Sequence, residues 1–162
     1  MLSMEEIYRE HSQTVYGYLL SLTRNADTAE ELTQETFYQA VKSANKFDGS
    51  CKITTWLCAI AKNVFLSYRR KHPPADILKE HTVSSPSPEN EIISAMGQLE
   101  LMKRMHSLNS EMREVMYLRL LGGLSFREIG DIMSQSENWA RVNYYRGKEK
   151  IKKELEADEY KA

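Results

Sequence analysis

The residues best placed to act on a ligand are basic side chains that recur at helical spacing near the carboxyl end of the chain. They follow two adjoining lines of one helix, with Arg141, Tyr145, Lys148 and Lys152 on the first and Val142, Arg146 and Lys153 on the second. Arginines near the start of such a helix reach guanine edges in the major groove, and lysines further along meet phosphates. The pattern predicts a helix that reads duplex DNA. The plain alternative is a basic helix that contacts only solvent.

The residues before this helix predict that it is the second helix of a helix-turn-helix, from Ser125 to about Lys153. Gly122-Gly123 is a stop signal for the preceding helix. Ser125-x-x-Glu128 predicts a capping box at the start of a helix of about nine residues. Gly130 has no side chain, which allows two helices to cross steeply at close range. Ser136 is the expected N-cap of the last helix.

Apolar residues recur at helical spacing throughout the chain, and no stretch alternates like a strand, so the fold class is all-α. Three stripes in the first half predict core faces: Ile7, His11, Val15, Tyr18, Leu19 and Leu22; then Ala29, Leu32, Thr33, Phe37, Ala40, Val41 and Ala44; then Ile53, Trp56, Leu57, Ile60, Ala61, Val64 and Tyr68. Asp27 is the expected cap of the second helix, with Glu30 favouring the positive end of its dipole.

Three further stripes follow in the second half of the chain. Their residues are Ile92, Met96, Leu99, Met102 and Met105; then Met112, Val115, Met116, Leu118 and Leu121; then, on the last helix, Ala140, Tyr144, Gly147, Ile151 and Leu155. These apolar faces predict a second helical core. Five of the eight methionines lie on these stripes, which favours core filling over a promiscuous binding groove.

Proline divides the chain into two parts. All four prolines fall between His72 and Glu89, together with three serines. Since proline neither continues a helix nor donates to a strand, we expect a flexible linker at 73–90 between two small helical domains, 1–72 and 91–162. Domains of this size are marginally stable alone, which suggests that they dock on something larger.

Charge is segregated along the chain although the net charge is only -1. Residues 49–74 carry five bases and no acid, and residues 136–153 carry six bases and two acids. Residues 25–38 carry four acids and no base. The two basic patches are typical of nucleic-acid binding, whereas an ordinary solvated surface mixes its charges.

Several classes of function are disfavoured. No apolar run reaches the roughly 20 residues of a membrane span, and the first residues lack the order of a signal peptide, so we expect a cytoplasmic protein. Cys51 and Cys58 are not at a zinc spacing, and two cysteines make no disulfide framework. No histidine has a partner suited to nucleophilic catalysis. We therefore expect no enzymatic activity, no metal, no cofactor and no small-molecule substrate.

Three segments of the second half of the chain form a recognisable pattern: Leu108 to Arg119, Gly123-Leu124-Ser125-Phe126-Arg127-Glu128-Ile129-Gly130, and Arg141 to Lys148. Together they resemble region four of the extracytoplasmic-function sigma factors of bacterial RNA polymerase. The resemblance implies that this part binds the minus-thirty-five element of a promoter. The residues implied are Arg141, Val142, Tyr145, Arg146 and Lys148.

The first half resembles region two of the same family, in the right order across the linker. The matching segments are Asp27 to Phe37, Phe47-Asp48-Gly49, Thr55-Trp56-Leu57, Ile60-Ala61-x-Asn63 and Tyr68-Arg69-Arg70. Together the two regions cover the chain from about Glu5 to Leu155. A helix-turn-helix alone fits any regulator, and it is the combination that is typical of a sigma factor.

The resemblance implies a minus-ten site in the first half. The loop from Phe47 to Thr54 corresponds to the family loop that captures a flipped base. Flipping costs a few kcal/mol of lost stacking, so the pocket that encloses the base must offset that cost. Asn63 is the expected base reader, and Trp56 either supports the pocket or belongs only to the core. The implied residues are Phe47, Ser50, Cys51, Lys52, Trp56, Lys62, Asn63, Arg69 and Arg70.

The resemblance also implies protein partners. An acidic helix face that would repel DNA corresponds to the surface that grips the clamp helices of the largest polymerase subunit: Glu31, Gln34, Glu35 and Tyr38. An ordinary solvated face is the alternative. Region four is expected on the flap of the second-largest subunit, and a membrane-anchored anti-sigma factor is the expected regulator.

Some residues depart from the family pattern. Asp48 and Asn143 stand where arginines are common, Cys58-Ala59 replace an aromatic and a basic residue, and Trp139 replaces a small hydroxyl residue. These departures affect the promoter sequence that is read. Two other functions remain open: a stand-alone helix-turn-helix regulator that binds operator DNA as a dimer, and a helical scaffold protein.

Overall fold

The protein is helical throughout the part that its structure, a computed structural model, describes: residues 3–73 and 100–161, with side chains as far as Asp158. Its helices are α1 (Met4–Thr23), α2 (Ala26–Lys42), α3 (Ile53–Lys71), α4 (residues 100–105), α5 (Ser110–Leu120), α6 (Phe126–Ile132) and α7 (Glu137–Lys161), with a 3-10 turn at Ala44–Lys46. The prediction of an all-α fold is confirmed.

The chain separates into two compact units. We call α1 to α3 the N-terminal unit and α4 to α7 the C-terminal unit. Of the predicted linker at 73–90, all but Pro73 lies outside the described residues, as does the stripe from Ile92 to Leu99. No helix within 3–73 or 100–161 is both long and apolar enough to cross a membrane.

The N-terminal unit is a three-helix bundle in which each helix packs against the other two. Its core consists of side chains with no exposed surface: Val15, Tyr18, Leu19, Ala29, Ala40, Leu57, Cys58 and Ala61. Burial of this apolar surface is the main source of stability for so small a unit. At the edge of the core, the Tyr8 ring meets the Phe37 ring edge-on at a centroid distance of 4.9 Å.

The cap of α2 is Asn25, so the prediction of Asp27 was wrong. Asn25 is in an extended conformation, and its side chain accepts a hydrogen bond of 3.0 Å from the Thr28 amide. The helix starts earlier than predicted because α1 ends abruptly at Arg24, whose φ is 55°. Asp27 consequently lies inside the first turn, where its charge favours the positive end of the helix dipole.

The buried face of α3 is rotated from the predicted stripe. Buried positions include Cys58, Ala61 and Phe65, and neither Cys58 nor Phe65 was on the predicted stripe. Five predicted core residues are only half-buried: Ile53, Trp56, Ile60, Val64 and Tyr68. The reason is that α3 packs against both α1 and α2, so its buried face is centred between the two contacts.

Three other predicted core residues are exposed. Val41 is 56% exposed because it lies just outside the narrow buried stripe that ends at Ala40. Ala44 lies in the 3-10 turn, where the α-helical period no longer applies. Leu155 is 43% exposed because α7 continues past the apolar core of its unit.

The C-terminal unit is built around α5. Seven consecutive residues of this helix, Met112–Leu118, are buried. The set includes two charged residues, and Arg113 donates from Nη1 to the carbonyl oxygen of Leu108 at 3.4 Å. Beyond the core, α7 is tied to the α4 segment by polar contacts. Ser107 donates to Glu154 at 2.8 Å, and Arg104 pairs with Asp158 at 2.8 Å.

The assignment of the α2 cap predicts different effects for Asn25→Ala and Asp27→Ala. Asn25→Ala should lower the free energy of unfolding of the N-terminal unit by about 1 kcal/mol, because it removes the acceptor of an end amide. Asp27→Ala removes only a dipole interaction and should cost about 0.3–0.5 kcal/mol.

Urea titration measures both effects. Trp56 fluorescence in a Trp139→Phe background reports on the N-terminal unit alone, since the chain has two tryptophans. Asn25→Asp, which keeps an acceptor, is the control. A larger cost for Asp27→Ala than for Asn25→Ala would show that the cap is misassigned.

Candidate nucleic-acid interface

The start of α6 is fixed by local hydrogen bonds. The Ser125 hydroxyl accepts from the Glu128 amide at 3.1 Å, and the Glu128 carboxylate accepts from the Ser125 amide at 3.0 Å. The predicted capping box is therefore confirmed. Gly123 has a φ of +70°, a conformation that suits glycine after a helix end. The helix has seven residues rather than the predicted nine.

The turn between α6 and α7 depends on Gly130. A Cβ atom at this position would lie 2.8 Å from the carbonyl oxygen of Gln135 and 2.9 Å from that of Ser136. The Gln135 amide donates to the Gly130 carbonyl at 2.8 Å. Glycine is thus required because the backbone of the turn passes close to it, and not because the side of the following helix crosses close to it. The Ser136 hydroxyl accepts from the Trp139 amide at 3.0 Å, which confirms the predicted N-cap.

One face of α7 is buried and another presents the predicted DNA-binding residues. Ala140, Gly147 and Ile151 are buried. Gly147 lies against Met116 of α5, with its Cβ position 3.1 Å from the methionine side chain. The predicted residues Arg141, Tyr145, Arg146 and Lys148 are exposed, and Val142 is half-buried.

Asn143 does not belong to the exposed face. It is 9% exposed, and its Nδ2 donates to the Trp139 carbonyl at 2.9 Å, within the helix. Arginine is common at this position in the family pattern. Because Asn143 is buried, its presence leaves the exposed line of Arg141, Tyr145, Lys148 and Lys152 unchanged. Trp139 is half-buried in the first turn.

An aromatic and cationic cluster at the start of α6 was not predicted from the sequence. The Phe126 ring centroid lies 4.3 Å from Cζ of Arg119 and 5.3 Å from Cζ of Arg141. The rings of Tyr144 and Tyr145 lie 5.5 Å and 6.2 Å from the same ring. No periodic signal connects residues 119, 126 and 141, which come from three different helices.

The loop that precedes α3 is ordered by a short turn and an aromatic pair. The Asp48 carboxylate accepts from the Ser50 amide at 2.9 Å, and Gly49 has a φ of +79°. Hydrogen bonds from Ser50 hold the pKa of the Asp48 carboxyl below its usual range. The rings of Phe47 and Trp56 lie 4.9 Å apart, and both side chains are half-buried. Ser50 and Lys52 are exposed, and Cys51 is half-buried.

The basic residues of α3 occupy two neighbouring faces. Lys62 Nζ and Arg69 Cζ lie 6.0 Å and 5.9 Å from the centroid of the Phe65 ring. Arg70 donates to the Ser67 hydroxyl at 3.0 Å. Asn63 is exposed but lines a groove of about 750 Å³ between α2 and α3, away from Lys62 and Arg69.

The acidic face of α2 consists of the four predicted residues, Glu31, Gln34, Glu35 and Tyr38, and all four are exposed. Tyr38 is 57% exposed, with the Lys42 ammonium 5.2 Å from its ring. Glu35 accepts from Gln39 at 2.9 Å, and Glu31 and Glu35 line the groove. The face combines carboxylates with one large exposed aromatic ring.

Of the two cysteines, Cys58 is unreactive. Its thiol is fully buried, and burial raises its pKa to about 12. It is therefore protonated at neutral pH and acts as a small apolar core residue.

Comparison with known proteins connects both units to one family. Residues 7–73 match the family described as Sigma-70 region 2, and residues 98–151 match Sigma-70, region 4. The chain is 31% identical over 155 residues to the ECF RNA polymerase sigma factor SigM of Bacillus subtilis, covering 93% of this chain and 94% of that protein. It is 29% identical to the RNA polymerase sigma factor YlaC of the same organism, covering 94% and 92%.

The chain belongs to the extracytoplasmic-function group of the sigma-70 family. As a sigma factor, it binds core RNA polymerase and directs promoter recognition and transcription initiation. The co-crystal structure of the sigma factor RpoE with the anti-sigma factor NepR from Bartonella quintana contains the same fold, with a TM-score of 0.74. That likeness covers 95% of this chain and 97% of the other at 19% sequence identity.

The close approach at Gly130 predicts that two glycine substitutions in this sigma factor differ sharply. Gly130→Ala should lower the free energy of unfolding of the C-terminal unit by about 1–3 kcal/mol, because its Cβ meets fixed backbone oxygens. Gly147→Ala is the matched control, because its Cβ meets side chains rather than backbone, namely Met116 at 3.1 Å and Leu108 at 3.6 Å. Alanine also favours a helix interior over glycine by about 1 kcal/mol.

Urea titration followed by Trp139 fluorescence in a Trp56→Phe background measures both variants. Gly147→Ala should stay within about 1 kcal/mol of the parent. Equal costs for the two substitutions would contradict the structure of the turn.

Proposed function

We propose that this sigma factor divides promoter recognition between its two units. Residues 91–162 form a region-four domain that reads the minus-thirty-five element, and residues 1–72 form a region-two domain that reads and melts the minus-ten element. Residues 73–90 connect them. The observation that carries this proposal is the exposed basic face of α7, opposite a buried face that fixes the rotation of the helix.

The minus-thirty-five contact is assigned to five residues of α7: Arg141, Val142, Tyr145, Arg146 and Lys148. The support is their position in the first three turns of a helix that starts at the helix-turn-helix corner, where all but the half-buried Val142 are exposed. In this geometry the early residues of the second helix contact base edges, and later lysines contact phosphates. Glu137 pairs with Arg141 at 3.3 Å and restricts that side chain before DNA binds.

The minus-ten contact is assigned to the loop before α3 and to the basic side of α3. The neighbouring Phe47 and Trp56 rings support the loop, which supplies the small residues Ser50 and Cys51 beside Lys52. A loop of this kind encloses a base that has left the stack. Lys62, Arg69 and Arg70 are placed to bind phosphates, and Asn63 to contact a base near the edge of the groove.

The acidic face of α2 is assigned to the clamp helices of the largest polymerase subunit, with Gln34 and Glu35 as its central residues. Its carboxylates would repel DNA phosphates, so a protein partner fits them better. The exposed Tyr38 ring supplies the apolar contact that protein interfaces favour. We assign the C-terminal unit as a whole to the flap of the second-largest subunit.

Regulation by an anti-sigma factor is a further part of the proposal. The Bartonella quintana structure is a complex of a sigma factor with an anti-sigma factor, and this chain has the same fold as that sigma factor. A partner that covered α7 and the loop before α3 would block both promoter contacts. We propose that the chain acts in the cytoplasm, held at the membrane when its partner is membrane-anchored, and that it performs no catalysis itself.

Run-off transcription tests the division of roles. Purified chain with core polymerase should give transcripts from a promoter with both elements, whereas either component alone should not. The near-neutral net charge of -1 favours weak affinity for free DNA, which suits a subunit that acts within the holoenzyme. A chain that bound duplex operator tightly by itself and added nothing to core polymerase would instead be a stand-alone regulator.

In this assay, Arg141→Ala and Arg146→Ala should each cost about 1–3 kcal/mol of discrimination between an intact and a substituted minus-thirty-five element. Core binding should be unchanged, because both side chains lie on the face of α7 assigned to DNA and neither lies on the acidic face of α2. Lys103→Ala, an exposed basic residue on α4, is the matched control. Loss of core affinity in either arginine variant would contradict the assignment of α7.

A further inference from the structure

The most informative unassigned feature is the ring of Phe126 at the surface of the helix-turn-helix. Three helices meet around this ring: α5 through Arg119, α6 through Phe126 itself, and α7 through Arg141 and Tyr145. Both guanidinium carbons lie within the distance of about 6 Å at which a cation is attracted to a ring face. The ring thus gathers two cations that are distant in the sequence.

The position of the ring is itself fixed. Phe126 is the first residue of α6, directly after the Ser125 cap, and the capping box orders that turn. Tyr144 and Tyr145 pack against the ring from α7 and lie 5.2 Å from each other in an edge-on arrangement. A guanidinium that contacts the ring is consequently held at a defined place relative to the start of α7.

The arrangement gathers positive charge at an exposed surface. Arg119 and Arg141 carry the same charge and approach the same half-buried ring. Glu137 pairs with Arg141 at 3.3 Å, and Arg141 remains exposed beside it. Exposed cationic groups of this kind attract the phosphates of nucleic acid. Such a site is suited to the approach of duplex DNA.

We propose that Phe126 is a positioning residue for promoter reading: its ring holds the Arg141 guanidinium on the exposed face of α7, and Arg119 contacts the same ring. The arginine then reaches the minus-thirty-five element in an ordered conformation, so less conformational freedom is lost on binding. This inference rests on the assignment of α7 to that element. It gives Phe126 a role that its place in the capping sequence does not require.

The test compares Phe126→Leu, which keeps apolar bulk without a ring face, with Phe126→Tyr, which keeps the ring. Holoenzymes are assayed for transcription from promoters with an intact or substituted minus-thirty-five element. Phe126→Leu should lower the discrimination ratio about 3- to 10-fold, as expected for loss of ring contacts with two cations. Phe126→Tyr should stay within about twofold of the parent.

A purely structural role is separated by two further readouts. If Phe126 acts through Arg141, then Phe126→Leu in an Arg141→Ala background should cause little further loss. Pentafluorophenylalanine in place of Phe126 keeps the ring shape and inverts its quadrupole, so it should reproduce the loss seen with leucine. It also keeps the proposal testable if Phe126→Leu fails to fold.

Two outcomes overturn the proposal in distinguishable ways. If Arg141→Ala alone leaves discrimination unchanged, the assignment of α7 fails, and the role of Phe126 fails with it. If Arg141→Ala lowers discrimination but the pentafluoro ring does not, or the effects of Phe126→Leu and Arg141→Ala multiply, only the positioning role is wrong.

Discussion

The close approach of the Gly130 backbone to the turn at Gln135 and Ser136 is the constraint on which the exposed basic face of α7 depends. The distances leave no room for a side chain at this position. They fix where α7 starts, and the buried face formed by Ala140, Gly147 and Ile151 fixes how the helix lies on α5. With both points set, the rotation of α7 is determined, and its basic residues have to face outward. The exposed basic face of α7 thus follows from packing within the C-terminal unit.

Charge is separated between helices, so different faces of the chain suit different partners. Basic residues occupy α3 and the first part of α7, and acidic residues occupy the exposed face of α2. Phosphates are attracted to the basic faces and repelled from the acidic one, which leaves the acidic face of α2 better suited to a protein partner. The net charge of -1 that results limits binding to DNA in the absence of a partner.

Local signals in the sequence predicted much of the fold and of the site. The capping box at Ser125, the N-cap at Ser136 and the buried face of α7 near Ala140 are short-range features, and the structure confirms them. The buried face of α3 was misplaced because it depends on two partner helices, which periodicity within one helix does not reveal. The Phe126 cluster was missed for the same reason, since its arginines come from other helices.

The central proposal is that each unit contacts a different promoter element, and its most direct test is cross-linking within the holoenzyme. A photoreactive amino acid is placed at Tyr145 on α7 and, in a second protein, at Lys62 on α3. With core polymerase and promoter DNA, we expect the probe at Tyr145 to mark the minus-thirty-five element and the probe at Lys62 to mark the minus-ten element. Cross-links from both probes to one element, or the same cross-links without polymerase, would contradict a promoter contact that is divided between the two units.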